Sequence, residues 1–203
     1  MGRVTERFAT FDCYGTLIDW NSGLRAALGS DELLDRYHEV EPVVQIEAPD
    51  LPYRQVMGEV ARRIGAPDPA GTLPDWEPFP EVRDALERAR EAGWKLVILS
   101  NTDRDYIEAS MARIGVSFEF AIVASEIGSY KPAIGHWLFF EQKVGRLPDV
   151  HVAASLHHDV VPANALDLPT VWVNRLGEDA VPQPTREIPD LSALPDVLGE
   201  LVA

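Results

Sequence analysis

Five short segments of the chain are apolar at nearly every position, and they constrain the fold more than any other feature of the sequence. They span residues 8–12, 95–100, 120–124, 150–154 and 170–173. A strand with one face in water alternates apolar and polar residues, whereas a strand covered on both faces is apolar throughout. Segments with helical periodicity separate most of these strands and end at glycine, as at Gly115 and Gly145. The pattern predicts an α/β fold with a doubly wound parallel sheet between two layers of helices.

The long interval between the first two predicted strands contains no strand pattern. Residues 22–40 and 52–64 have helical patterns, and prolines are frequent between them. Structureless loops of this length are rare inside a compact domain. We therefore expect a helical cap subdomain at residues 20–77, inserted into a core made of residues 1–19 and 78–203.

The C-terminal segment from Glu178 has the composition of a solvated connection. It contains six acidic residues and one basic residue. We expect an exposed connection that leads to a last surface helix near residues 192–201.

The charge balance argues against two classes of partner. Acidic residues outnumber basic residues by 33 to 18, which gives a formal net charge of −15. This charge repels phosphate backbones and anionic lipids. We therefore expect a small-molecule substrate and neither a nucleic-acid nor a membrane-surface partner.

Cysteine content and hydropathy predict a cytoplasmic protein. Cys13 is the only cysteine, which excludes an internal disulfide and a multi-cysteine zinc site and fits a reducing compartment. No apolar run approaches about 18 residues, and the polar N-terminus leads directly into the first strand. We expect neither a membrane span nor a signal peptide, and the sequence leaves the oligomeric state open, a homodimer included.

Polar side chains follow four of the predicted strands at the point where each strand ends. They are Asp12 after the first strand, Ser100 and Asn101 at the second, Lys131 after the third, and Ser155, His158 and Asp159 after the fourth. Because ligands of parallel sheets bind outside the carboxyl ends of the strands, we expect these side chains to meet at one edge. A carboxylate at the tip of a buried strand tends to protonate, and a nearby ammonium keeps it ionised. With Thr16 to fix one of its oxygens, Asp12 has the surroundings of a nucleophile.

These residues resemble the four motifs of the haloacid dehalogenase superfamily. The first motif is Phe11-Asp12-Cys13-Tyr14-Gly15-Thr16-Leu17, and the later ones are Leu99-Ser100-Asn101, Tyr130-Lys131-Pro132 and the segment from Ser155 to Asp159. The resemblance implies a Rossmann-like core, an aspartate nucleophile and a cap inserted after the first strand. The last of these agrees with the insertion that the strand spacing predicts independently.

Two positions depart from the phosphatases of the superfamily and match its L-2-haloacid dehalogenase branch. Tyr14 stands where phosphatases have the acid that protonates the leaving alcohol, and a phenol is a poor acid at neutral pH. Ala154 stands where they have a further carboxylate for Mg²⁺. The resemblance therefore implies a hydrolase that needs no metal and displaces halide from a 2-haloacid through a covalent ester. The alternative is a Mg²⁺-dependent phosphatase of small phosphate esters, with the ion on Asp12 and Asp159.

The resemblance also assigns catalytic roles by position. Asp12 is the nucleophile, Lys131 is its charge partner and Thr16 positions it. Asp159 orients Lys131 or the hydrolytic water.

The substrate is expected to be a small anion held by residues from both the core and the cap. The expected contacts are Ser100 and Asn101 with its carboxylate, Tyr14, Ser155 and His158 around it, and a cap arginine at Arg36, with Arg54 in reserve. Trp20 and Trp76, which flank the insertion, are candidates for an apolar wall between cap and core.

The fourth motif leaves a further alternative open. Dehalogenases have Ser and Asn where this chain has Ala154 and Leu156. The form Ser155-Leu156-His157-His158-Asp159 resembles a side branch that includes a C–N hydrolase opening a small cyclic amino acid. The leaving group would then be a ring nitrogen, and His158 would assist with a proton.

Overall fold

The computed structural model describes residues 6–201, whose strands form a six-stranded parallel sheet. The strands are β1 (Arg7–Phe11), β2 (Trp94–Ser100), β3 (Phe120–Val123), β4 (Val150–Ala153), β5 (Thr170–Val173) and β6 (Arg186–Ile188). They lie in the order β3-β2-β1-β4-β5-β6. Strand β1 is central, with Phe11 opposite Ile98 on one side and opposite Val152 on the other. The chain extends outward from β1 first in one direction and then in the other, as in doubly wound α/β folds.

Both faces of the sheet are covered, which explains why its inner strands are apolar at most positions. Successive side chains of a strand point to opposite faces. On β2, Leu96 and Ile98 belong to one buried apolar cluster, whereas Val97 and Leu99 belong to another. The five predicted strands are confirmed to within one residue at each end.

Helices form most of the remaining structure. Those of the described residues are α1 (Trp20–Leu28), α2 (Asp31–Glu47), α3 (Tyr53–Ile64), α4 (Val82–Glu91), α5 (Arg104–Ile114), α6 (Ala124–Ile127), α7 (Gly135–Val144), α8 (Val161–Ala165) and α9 (Leu194–Glu200), with 3₁₀ turns at Leu73–Asp75 and Leu191–Ala193 and a π-helical turn at Leu156–Val160. Gly115 and Gly145 end α5 and α7 with φ angles of 69° and 90°, as predicted. Within residues 6–201, no helix is long and apolar enough to cross a membrane.

One predicted helix, over residues 22–40, is two helices in the structure. Gly29 ends α1 with a φ of 88°, and the Ser30 side chain accepts a hydrogen bond from the Leu33 N–H at the start of α2. Helix α2 also continues past Pro42 to Glu47. Because Val44 and Gln45 are buried, their packing outweighs the hydrogen bond that proline cannot donate.

Residues 20–77, which we call the helical insertion, contain α1 to α3 and none of the sheet strands described above. Asp103, which follows β2, accepts hydrogen bonds of 2.9 Å from the main-chain N–H groups of Tyr53 and Arg54 at the start of α3. The Tyr130 hydroxyl donates to the Leu51 carbonyl oxygen. These contacts hold the helical insertion over the carboxyl edge of the sheet. Its separation from the core as a subdomain stays a prediction.

Strand β6 corrects the prediction that the segment after Glu178 is only a solvated connection. Residues 186–188 pair in parallel with β5, at the edge of the sheet. Arg186 and Glu187 are exposed and only Ile188 is buried. The segment therefore lacks the apolar run that marks the inner strands. The predicted last helix is present as a 3₁₀ turn followed by α9.

Candidate active site

A cavity of about 320 Å³ lies at the carboxyl ends of the strands, beneath the helical insertion. This is where the strand order reverses at β1, the position at which ligands bind in doubly wound sheets. The core side of its wall is formed by Asp12, Tyr14, Gly15, Ser100, Asn101, Lys131, Ala154, Ser155, His158, Asp159 and Leu176. The helical insertion contributes Trp20, His38, Glu41, Gln45 and Tyr53.

Three charged residues, Asp12, Lys131 and Asp159, form a buried group that we call the ion triad. The Lys131 Nζ donates to Asp12 Oδ1 at 2.9 Å and to Asp159 Oδ1 at 2.6 Å. Its third hydrogen bond, of 2.9 Å, goes to the Leu99 carbonyl oxygen at the end of β2. The side chains of Lys131 and Asp159 are each 1% exposed, whereas that of Asp12 is 12% exposed. Of the three, Asp12 is the most accessible from the cavity.

The turn after β1 fixes the orientation of the Asp12 carboxylate. The Asp12 N–H continues the pairing of β1 with β4 by donating to the Val152 carbonyl oxygen. Gly15 then turns the chain with a φ of 89°. This turn brings the Thr16 hydroxyl to 2.8 Å from Asp12 Oδ2, where it donates a hydrogen bond and accepts another from the Ala154 N–H. Cys13 points away from this site into the apolar core.

The charges of the ion triad shift its pKa values in opposite directions. Burial raises the pKa of Asp12, the attraction to Lys131 opposes this shift, and repulsion from Asp159 adds to it. Burial acts in the same direction on Asp159, but there Lys131 and His151 outweigh it and lower the pKa well below the ordinary value. Burial lowers the pKa of Lys131, yet the two carboxylates outweigh it and raise the pKa. Asp159 is therefore the firmly ionised carboxylate, and Asp12 is the one whose charge depends on pH.

A histidine that sequence reasoning missed supports the ion triad from inside the core. His151 on β4 places Nε2 at 2.9 Å from Asp159 Oδ1, and its Nδ1 lies at 2.9 Å from Thr10 Oγ1. It is 1% exposed and does not line the cavity. The sequence signal that could have identified His151 is a polar residue in the second position of an otherwise apolar strand.

Ser100 and Asn101 both reach the cavity, but their side chains differ in what they can bind. The Ser100 Oγ is buried and has no hydrogen-bond partner among the described residues. The Asn101 amide instead holds the Lys131 main chain, donating to its carbonyl oxygen at 2.9 Å and accepting from its N–H at 2.7 Å. The Ser100 hydroxyl is therefore available to a ligand, whereas the Asn101 amide positions Lys131.

The other predicted core contacts also lie at the cavity, where their side chains form hydrogen bonds within the core. The Ser155 Oγ accepts from the His158 N–H and lies 3.2 Å from His158 Nδ1. The Tyr14 hydroxyl lies 3.0 Å from Ser110 Oγ. Burial lowers the pKa of His158 to about 4. The imidazole is therefore neutral at pH 7 and poorly suited to donate a proton.

The two tryptophans flanking the insertion are at different depths. Trp20 lines the cavity, and its ring packs against those of Tyr14 and Tyr53 at centroid distances of 5.7 and 6.1 Å. Trp76 lies behind Trp20, at 5.1 Å, and is not part of the wall. The pair forms an aromatic backing for the insertion side of the cavity.

The predicted arginine contact stays a prediction, and neither candidate lines the cavity in this structure. Arg36 is exposed on α2, two residues from the cavity-lining His38. Two residues turn a helix by about 200°, so Arg36 points away from the cavity. Arg54 forms ion pairs with Asp103, which follows β2, and with Asp105 on α5.

The face of α2 that does reach the cavity carries three polar residues that sequence reasoning missed. They are His38, Glu41 and Gln45, spaced three and four residues apart on one side of the helix. The Tyr53 hydroxyl donates to Glu41 Oε1 at 2.6 Å. Burial raises the pKa of Glu41 to about 7. Their common helical spacing was the signal that could have identified them.

A divalent cation held by Asp12 and Asp159 fits these residues poorly. The Oδ1 atoms of both carboxylates accept hydrogen bonds from the Lys131 ammonium, and Asp12 Oδ2 accepts one from the Thr16 hydroxyl. Asp159 Oδ2 is the remaining carboxylate oxygen of the ion triad without a partner in the described part of the chain. Mg²⁺ requires about six oxygen ligands in near-octahedral geometry. No group of three or more His, Cys, Asp or Glu side chains within residues 6–201 is arranged to supply them.

Comparison with known proteins identifies the family. Residues 7–155 match the haloacid dehalogenase-like hydrolases, and the chain belongs to this family. The haloacetate dehalogenase H-2 of Moraxella sp. (strain B) is 34% identical over 104 residues, which are 50% of this chain and 46% of the relative. The (S)-2-haloacid dehalogenase of Pseudomonas sp. (strain YL) is 31% identical over 124 residues, 58% of this chain and 53% of the relative. The matches thus span about half the length of these relatives.

Solved structures share the whole fold. The L-2-haloacid dehalogenase from Xanthobacter autotrophicus, with chloropropionic acid covalently bound, superposes with a TM-score of 0.81 at 20% identity. The match covers 95% of this chain and 98% of that one. It confirms the predicted Rossmann-like α/β architecture.

The ion triad predicts a specific stability defect when its cation is removed. Lys131→Met would leave two buried carboxylates without the ammonium that they share, so we expect the free energy of unfolding at neutral pH to fall by about 3–5 kcal/mol. Adding Asp159→Asn removes one of those charges and is expected to recover at least about 1 kcal/mol. Urea unfolding measures both values.

Lys143→Met on the exposed face of α7 is the control and should change the stability by less than about 1 kcal/mol. A Lys131→Met variant as stable as the control would contradict the description of the ion triad.

Proposed function

We propose that the protein is a metal-independent hydrolase that displaces a leaving group from a carbon of a small carboxylic acid, with Asp12 as the nucleophile. The observation that carries the proposal is the ion triad, in which one buried ammonium serves two carboxylates and the more accessible of these faces the cavity. The names of the two curated relatives support halide as the leaving group.

In the first step an Asp12 oxygen forms a bond to the substrate carbon, and the carbon–halogen bond breaks with its electron pair on the departing halide. Lys131 and Thr16 hold the carboxylate in one orientation, which removes part of the entropic barrier to attack. The unpartnered Ser100 hydroxyl is available to donate to the substrate carboxylate. The product of this step is an ester of Asp12.

In the second step water adds to the carbonyl carbon of that ester. The bond from this carbon to the substrate-bearing oxygen breaks, the departing alkoxide takes one proton of the water, and the other proton is released to solvent. Asp12 is regenerated with one oxygen from water. Asp159 Oδ2, which is buried and has no partner in residues 6–201, can accept a hydrogen bond from the attacking water and orient it.

Chloride release from (S)-2-chloropropionate tests the proposal against its alternatives. We expect it to be unaffected by EDTA, because no step uses a metal ion. Asp12→Asn should reduce the rate by several orders of magnitude, since an amide oxygen is a far weaker nucleophile than a carboxylate. Asp84→Asn, on the exposed face of α4, is the matched control and should retain the wild-type rate.

Two other outcomes would redirect the assignment. Hydrolysis of p-nitrophenyl phosphate that EDTA abolishes and Mg²⁺ restores would contradict the proposal in favour of a phosphatase. Ring opening of a cyclic amino acid without any chloride release would show that the leaving group is a ring nitrogen and not a halide.

The raised pKa of Asp12 predicts the acid side of the pH profile. The nucleophile must be ionised, so kcat/KM should fall as the pH drops through a value above about 4, the range of an ordinary carboxyl group. Asp159→Asn removes a like charge, lowers the pKa of Asp12 and should shift this limb to lower pH. Because Glu41 also titrates in the cavity, the profiles are compared in a Glu41→Gln background. If Asp159→Asn does not shift the acid limb, a group other than Asp12 determines it.

A further inference from the structure

The cavity contains more negative than positive charge. Asp12 and Asp159 share the ammonium of Lys131, and no arginine of residues 6–201 lines the wall. All three N–H groups of Lys131 are already used, by Asp12, Asp159 and the Leu99 carbonyl oxygen. Lys131 therefore has no donor left for the carboxylate of an anionic substrate.

The two histidines of the wall do not compensate for this charge. Burial lowers the pKa of His38, and it lowers the pKa of His158 to about 4. Both shifts favour the uncharged imidazole at pH 7. A substrate that carries only a negative charge would enter a site whose net charge is already negative, which costs free energy in a partly desolvated cavity.

The side of the cavity formed by the helical insertion has the groups that recognise a cation. Glu41 forms no ion pair with any Lys, Arg or His of the described chain, and one of its oxygens accepts from Tyr53. The rings of Trp20 and Tyr53 and the amide of Gln45 are also in the wall. A carboxylate beside aromatic rings is the environment that binds alkylammonium groups.

We infer that Glu41 binds a protonated amine and that the substrate is a zwitterion, a small carboxylic acid that also carries an ammonium group. This inference rests on the proposed function and narrows its substrate class. A zwitterion adds no net charge to the cavity. Because burial holds the pKa of Glu41 at about 7, a bound ammonium would favour its ionised form and act as the counter-ion that the described chain does not supply. Glu41 is then a specificity-determining residue, at the side of the cavity where sequence reasoning expected an arginine.

A matched pair of unreactive probes tests the inference on the intact protein. L-Proline and cyclopentanecarboxylate have the same ring size and carboxylate, but only L-proline carries an ammonium. We expect L-proline to bind at least about tenfold more tightly at pH 7.5, measured by isothermal titration calorimetry or ligand-observed NMR.

Glu41→Gln should remove the preference without disturbing the fold, because the amide oxygen can still accept from the Tyr53 hydroxyl. We expect its affinity for L-proline to fall about tenfold and its affinity for cyclopentanecarboxylate to stay within about twofold of wild type. Glu39→Gln, exposed on the same helix, is the control and should leave both affinities unchanged.

Equal affinity for the two probes, tighter binding of cyclopentanecarboxylate, or no binding of either would overturn the inference. Chloride release from (S)-2-chloropropionate, measured on the same preparations, separates this result from a failure of the proposed function. If release persists while the preference is absent, only the zwitterion inference fails. If the preference is present and no substrate forms an ester on Asp12, the proposed function fails and the role of Glu41 in binding stands.

Discussion

The contact of the buried Lys131 ammonium with Asp12 and Asp159 is the interaction on which the site depends. An isolated carboxylate at this depth would protonate or destabilise the fold, because burial removes its hydration. One cation stabilises two carboxylates here, since its three hydrogen bonds join the segments that follow β1 and β4 to the end of β2. The same contact leaves an unequal pair, with Asp159 fully buried and Asp12 open to the cavity.

The ion triad also limits what the rest of the cavity can recognise. A lysine with all its donors engaged holds the proposed nucleophile but has none to spare for a substrate anion. In the proposed function, the substrate is therefore recognised by uncharged donors of the core, such as the Ser100 hydroxyl, and by the α2 face of the helical insertion. In the proposed function the sheet edge supplies the reaction chemistry, and the helical insertion selects the substrate through Glu41, its charged group at the cavity.

The sequence predicts the strands whose two faces are buried better than the elements that are partly exposed. The inner strands are apolar at nearly every position because both faces are covered, and the polar residues after them meet at one edge because the strands are parallel. Strand β6 escapes this reasoning, since an edge strand with two exposed residues has no apolar run. The orientation of α2 could not be predicted from the position of Arg36 along the chain, because the side of the helix that faces the cavity follows from how Leu34, Tyr37 and Val44 pack. That packing direction points His38, Glu41 and Gln45 inward instead.

The most direct test of the account is the fate of water oxygen in a single turnover. With enzyme in excess over (S)-2-chloropropionate in ¹⁸O-labelled water, an ester intermediate predicts that the label enters the carboxylate of Asp12. The hydroxyl oxygen of the first product molecule then comes from unlabelled Asp12. Mass spectrometry of the peptide containing Asp12 and of the hydroxy acid measures both. Label in the product and none in Asp12 would show direct attack by water on the substrate carbon and would contradict Asp12 as the nucleophile.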